Sequence, residues 1–168
     1  MKFLSERNLE LHKEYLNNLM LRYRVFEKSY PELLGADLKN ILSAKIKNSE
    51  KNEAFLLYGE ILAHKLYFSS FGNQNAKNSS VSEQFGSEAQ FLYELSLNAK
   101  KCSHGFLLLF KSKKGIECYF GSEYHQYFLK NKPILALDLC EHAYFYDYGF
   151  DKNSYVINAL SRLDLSVI

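Results

Sequence analysis

The segment from Pro133 to Tyr148 gathers the densest set of side chains able to do chemistry. It begins with an apolar run behind a proline, Ile134 to Leu137, the pattern of a short buried strand. Asp138, Cys140, Glu141 and His142 follow, and aromatics fill four of the five positions from Tyr144 to Tyr148. An acid at the end of a buried strand, with a histidine four residues on, resembles half of a metal site. Such oxygen and nitrogen donors suit manganese, iron or zinc. The same spacing also arises from a helix-capping aspartate followed by a partly buried histidine, so the pair needs partners from elsewhere.

Two further histidines stand on helical stripes. From about Ser5 to Tyr30, Leu9, His12, Leu16, Leu19, Tyr23 and Phe26 recur in steps of three and four, with Ser5 as N-cap. A later helix, Glu53 to about Phe71, aligns Leu57, Glu60, Ile61, His64 and Phe68, which puts an acid one turn before its histidine. Each inward histidine alone also reads as a hydrogen-bonded core residue. Together, His12, His64, Asp138 and His142 offer three neutral imidazoles and one carboxylate. That set leaves a divalent or trivalent ion with little residual charge and room for solvent, a site for redox or Lewis-acid chemistry on a small anion.

The elements that must position these residues follow in order. Tyr30-Pro31 breaks the first helix, since a residue before proline avoids helical geometry. A second helix is expected from Pro31, burying Leu34, Leu38, Ile41 and Leu42 and packing antiparallel on the first. The polar run Lys47 to Asn52 reads as a connection to the third helix. Gly72 to Ser80 is the most linker-like stretch and separates residues 1–72, a helical hairpin domain, from residues 81–168, a C-terminal α/β domain. The second part holds a helix from Glu88 to Lys101 and strands Gly105 to Phe110 and Ile116 to Phe120 around a tip containing Gly115. The third strand is Ile134 to Leu137, and a last helix spans Asn153 to Leu163. The predicted class is α+β: an N-terminal antiparallel helical hairpin on a C-terminal domain with a three-stranded antiparallel sheet and helices.

Composition narrows the function. A net charge of +2 argues against a protein built mainly for nucleic acid, although lysines cluster at 45/47/51, 100/101 and 111/113/114. Such clusters read as a solvated face or as a means of drawing a small anion toward a nearby site. The three cysteines, Cys102, Cys118 and Cys140, form no C-x-x-C pair, so neither a disulfide framework nor a zinc knuckle is expected. Charge appears early in Met-Lys-Phe-Leu-Ser-Glu-Arg and no apolar run reaches membrane-spanning length, so no membrane partner and a cytoplasmic location are expected.

Read as motifs, the chain resembles the iron/manganese superoxide dismutase family. Asp138-Leu-Cys-Glu-His-Ala-Tyr-Phe-Tyr-Asp-Tyr148 is similar to the family's D-x-W-E-H-A-Y-Y signature. Glu60-Ile-Leu-Ala-His-Lys-Leu-Tyr67 resembles the helix carrying another ligand, Leu4 to His12 resembles the approach to the first ligand, and Phe85 to Phe91 resembles a further helix start. The resemblance covers essentially the whole chain, as a divergent, shortened member. It implies that His12, His64, Asp138 and His142 ligate one iron or manganese ion per chain, and that superoxide is converted to oxygen and hydrogen peroxide. It also implies a homodimer with Glu141 reaching across the interface to a ligand histidine of the partner subunit.

The departures lie around the ligands. Counted from His12, Leu16 and Met20 occupy positions where the family has a second histidine and a tyrosine. Aligned from the other end, Tyr15 matches that tyrosine and His12 a non-ligand histidine. Tryptophans surround the metal in the family, and this chain has none: Cys140, Leu62 and Phe106 stand in their places. Glu60 occupies one of two positions for a solvent-binding glutamine, the other falling in Gly121 to Gln126, and Phe145 replaces a tyrosine. Glu60 and Tyr15 are thus the candidate catalytic residues. Three functional readings follow: a dismutase, a non-catalytic metal-binding or structural homologue, and a different metalloenzyme such as a peroxidase or hydrolase with Glu60 as base.

Overall fold

The computed structural model describes residues 3–72, 79–130 and 132–168. Helix α1 runs over Glu6–Ser29, and the Ser5 hydroxyl accepts the Asn8 N–H at 3.1 Å as its N-cap. Its buried residues are Asn8, His12, Leu19 and Tyr23, close to the expected stripe apart from Asn8.

The chain after Pro31 departs from expectation. One 3-10 turn, Pro31–Leu33, is followed by Gly35 at φ +68°, which ends any continuous helix there. Asp37 then caps a separate short helix, α2 (Leu38–Ser43), through a 2.8 Å bond from Asn40 N. Leu38 and Ile41 are buried as expected, but Leu34 is 73% exposed and Leu42 39%, so the apolar face is half the one foreseen. The partner of α1 in the hairpin is instead α3 (Asn48–Ser69). The two run antiparallel, since Tyr23 meets Tyr58, Tyr15 meets Glu60 and His12 meets His64 in succession. The polar run at Lys47–Asn52 is no connection: from Asn48 it is the solvated start of α3.

Within α3 burial extends well beyond one stripe, over Ala54, Leu57, Gly59, Ile61, Ala63, His64 and Tyr67. The helix is sandwiched between α1 on one side and the third strand and the turn at Tyr124–Gln126 on another. Gly59 permits the second contact, because a Cβ there would lie 2.7 Å from the His125 ring.

Much of the expected linker lies outside the described residues, and from Ser79 the chain is helical: α4 is Ser79–Phe85. Helix α5 (Glu88–Lys101), capped by Ser87, precedes β1 (Phe106–Ser112) and β2 (Gly115–Gly121). The hairpin tip is tighter than expected, with Ser112 already paired to Gly115. Helix α6 (Tyr127–Lys130) leads to β3 (Leu135–Asp138), and the antiparallel sheet has order β2-β1-β3. Central β1 is buried from Phe106 to Phe110, and Asp138 pairs with Phe106 at the sheet's end. Short helix α7 (Phe145–Tyr148) and α8 (Lys152–Leu160) close the chain; α8 stops short of Leu163, which instead forms a bridge with Phe71. The architecture is the α+β one expected, a helical hairpin on a region with a three-stranded antiparallel sheet.

Two buried clusters underlie it. One runs from Leu19 to Ile61 within the hairpin; the other joins Leu4, Ala63 and Tyr67 to the sheet, α5 and α8. No helix of the described residues is long and apolar enough to cross a membrane.

Candidate metal centre

His12, His64, Asp138 and His142 come together from four elements: α1, α3, the end of β3 and the 3-10 turn Glu141–Ala143. Their donor atoms all lie within 4.8 Å of one another. Asp138 Oδ2 is the hub, 3.2 Å from His12 Nε2, 3.3 Å from His64 Nε2 and 2.9 Å from His142 Nε2. The side chains of His12, His64 and Asp138 are wholly buried, while His142 is 28% exposed and forms the edge open to solvent.

Hydrogen bonds fix these donors from behind. His64 Nδ1 donates to the Glu60 carbonyl at 2.8 Å, so neutral His64 carries its lone pair on Nε2, the atom aimed at the cluster. Asp138 Oδ1 accepts the Cys140 N–H at 2.8 Å, and the Asp138 carbonyl accepts the Tyr155 hydroxyl at 2.8 Å. Asn8, one turn before His12, donates from its side chain to the Ala143 carbonyl at 2.7 Å and so pins α1 to the turn bearing His142. Aromatic walls complete the cavity. Tyr67 and Phe68 lie against His12 at 4.8 and 5.0 Å, and Phe106 meets the edge of His64 at 5.3 Å.

The arrangement fits a cation at its centre. His64 Nε2 faces both the Asp138 carboxylate and, at 3.1 Å, the Nε2 of His142. A proton on His142 relieves one such contact, but the other lone pairs then still oppose one another. His12 has no aligned hydrogen bond at either ring nitrogen although both are buried. Three imidazole nitrogens and a carboxylate oxygen crowded this closely in a dry site are a donor set for a metal ion.

Electrostatics point the same way. Burial alone pushes the Asp138 carboxyl upward, yet the three imidazoles outweigh it and hold the group well below the carboxylate range. For His12, burial prevails over Asp138 and keeps the ring neutral. For His64, burial is outweighed by Asp138 and the Glu60 carbonyl, and the pKa rises. Asp138 is therefore a ready anion in a site whose remaining donors are nitrogen bases.

Beyond the donors, the expected Tyr15 and Glu60 meet. The Tyr15 hydroxyl donates to Glu60 Oε1 at 2.6 Å, and its ring stacks on His142 with centroids 4.2 Å apart. Burial first, and Glu60 second, push the Tyr15 pKa upward, so the phenol stays a donor. Cys140 fills the place of an expected tryptophan: its Sγ accepts from Gly105 N at 3.2 Å, and burial followed by Asp138 raises its pKa, which disfavours a thiolate. Sequence reasoning missed Asn8 and Tyr155, whose positions on buried helix faces were the available signal, and Tyr124. Tyr124 is buried against Phe106 in the turn after β2, and burial ahead of the Glu60 and Asp138 charges raises its pKa. Glu141 is exposed, and in the segment that follows it Phe145 is 47%, Tyr146 61% and Phe150 92% exposed.

A helical hairpin and a three-stranded sheet that together offer three imidazoles and one carboxylate define a candidate mononuclear metal centre. Residues 73–168 match the family model for iron/manganese superoxide dismutases, C-terminal domain. The chain is also similar to a superoxide dismutase (Fe) of Cupriavidus metallidurans, with 27% identity over 117 residues, covering 65% of this chain and 59% of that relative. The chain thus belongs to the iron/manganese superoxide dismutase family, and membership implies an iron or manganese ion.

Proposed function

We propose that this chain holds one iron or manganese ion through His12, His64, Asp138 and His142 and acts as a superoxide dismutase. The convergence of four donors on one buried point, with the His64 tautomer fixed by the Glu60 carbonyl, carries the reading. When bound, the ion supplies a one-electron couple able to take superoxide either to oxygen or to hydrogen peroxide. Asp138 and the imidazoles offset its charge, and the wholly buried side of the cluster excludes water. The part-exposed edge at His142 gives a small anion its approach. Tyr15 and Glu60, joined at 2.6 Å beside that edge, hold a proton close to where peroxide is released.

The finer points belong to the same proposal. Residues 1–72 and 81–168 are two domains, each giving two ligands. A homodimer forms through the surface of Glu141, Phe145, Tyr146 and Phe150, with Glu141 reaching the partner subunit's site. The protein works in the cytoplasm.

A second reading is a non-catalytic, metal-binding homologue. It is favoured by the carboxylate of Glu60 where the resemblance calls for an amide, since an anion beside the site holds the ion in its more oxidised state. Dismutation by purified, metal-replete protein separates the two. Turnover that disappears in His64→Ala supports the dismutase, and a metal-loaded protein without turnover supports the homologue.

A further inference from the structure

Tyr124 opens the turn Tyr124–Gln126, which packs on α3 where the His125 ring lies over Gly59, the residue before Glu60. Tyr124 is 7% exposed, and its ring meets Phe106 edge to face at 4.7 Å. Phe106 in turn meets the edge of His64 at 5.3 Å and pairs with Asp138 across the sheet. Tyr124 therefore lies between α3 and the sheet end that carries Asp138, one ring away from His64. Burial is the first cause that pushes its pKa upward, and Glu60, Asp138, Cys140 and Tyr15 add to it in that order. Those four groups stand on α1, α3 and the segment after β3, so the hydroxyl that feels them all lies on the side of the candidate metal centre. The same causes keep the phenol protonated, as a donor.

A small anion held beside the Glu60 carboxylate needs a hydrogen-bond donor to offset the repulsion, and the neighbouring groups are committed elsewhere. Tyr15 donates to Glu60 Oε1 at 2.6 Å, and a carboxylate can only accept. The Cys140 thiol is directed at the Gly105 carbonyl, 3.7 Å away. The Tyr124 hydroxyl makes no hydrogen bond among the described residues. We propose that Tyr124, set between Phe106 and α3, is the donor that positions a small monoanion at the open side of the bound ion. Glu60 and Tyr15 then keep their proton between them, and Tyr124 supplies the bond that orients the substrate. The inference rests on the dismutase reading above and gives that site a residue for anion binding, separate from the four that hold the ion.

Azide, a monoanion that is not turned over, is the probe, titrated into the iron-loaded full chain and followed by visible absorption. Tyr124→Phe keeps the ring against Phe106 and loses no hydrogen bond to protein, so iron content and melting temperature should match the parent. Its azide dissociation constant should rise about tenfold, the loss of one hydrogen bond to a charged acceptor. The azide-to-iron charge-transfer band should also move to longer wavelength, because the azide loses a donor that stabilised its electrons. Tyr124→3-fluorotyrosine, a stronger donor of nearly the same shape, should tighten azide about twofold. Iron retained with unaltered azide affinity in either variant overturns the inference and leaves the dismutase reading standing. Loss of iron from Tyr124→Phe alone overturns it as well, since the residue would then support the ion rather than the anion. A parent that retains neither iron nor manganese overturns the metal reading itself, and this inference with it.

Discussion

The two sides of the candidate metal centre are built differently. On the inner side His12, His64 and Asp138 are wholly buried and held by Tyr155, the Cys140 N–H and the Glu60 carbonyl. On the outer side His142 is part-exposed, and the groups beside it, Tyr15 and Glu60, are half-buried and bonded to each other. The inner side is a cage: hydrogen bonds orient Asp138 and His64 while Tyr67 and Phe68 pack against His12, and such backing governs affinity. The outer side holds a carboxylate and a proton donor, which on the proposed reading would govern potential and turnover. The difference teaches that a chain can keep the means to hold an ion while altering the means to use it. The Glu60 carboxylate, where the resemblance calls for an amide, is a difference of that second kind.

The comparison breaks most sharply at Asp138. Asp138→Asn removes the anion on which three imidazoles converge, and metal content should fall from about one ion per chain to near zero, with a matching drop in thermal stability. Elemental analysis and a melting curve check it. Retention of the ion would mean that the inner side is no cage.

Tyr155→Phe tests the support behind the cage. It leaves the buried Asp138 carbonyl without its donor, at a cost of about 1–3 kcal/mol in urea unfolding and about tenfold in metal affinity. Unaltered affinity would show that β3 alone orients Asp138.

Glu60→Gln addresses the outer side. Loss of a negative charge beside the ion should raise the reduction potential by roughly 50–100 mV, with metal content unchanged. Redox titration followed optically reads this, and release of the ion instead would make Glu60 part of the cage.

The smallest effect concerns pH and lies outside both sides. Burial lowers the His125 pKa to about 4 from 6.5. In this window the unfolded chain binds the proton more readily than the folded one. The contribution is whole above pH 6.5 and is lost as pH falls toward about 4. With solvent screening it amounts to about 1–2 kcal/mol. The difference in unfolding free energy between parent and His125→Gln should therefore shrink over that range, and a constant difference would rule this source out.

Much of the centre was legible in the chain because helical and strand periods carry direction. His12 and His64 fall on apolar stripes, and Asp138 ends an apolar run, so each had to face inward. What periodicity does not carry is long-range pairing. The bonds from Asn8 to Ala143 and from Tyr155 to Asp138 span 135 and 17 residues and leave no local trace. The single helix expected from Pro31 is divided for a related reason. Leu34, Leu38, Ile41 and Leu42 have helical spacing, but Gly35 and the Asp37 cap divide them, and local turn chemistry overrides the stripe. The solvated first turns of α3 read as a loop because they bury little and consist of polar residues.

Four donors from four elements are proposed to hold one ion. Purified chain loaded with iron or manganese, dialysed and assayed for bound metal beside His64→Ala tests it most directly. About one ion per chain is expected in the parent, a marked loss in the variant, and a higher melting temperature for the loaded parent than for the same protein after chelation. Little metal in the loaded parent, with a melting temperature indifferent to chelation, would contradict it.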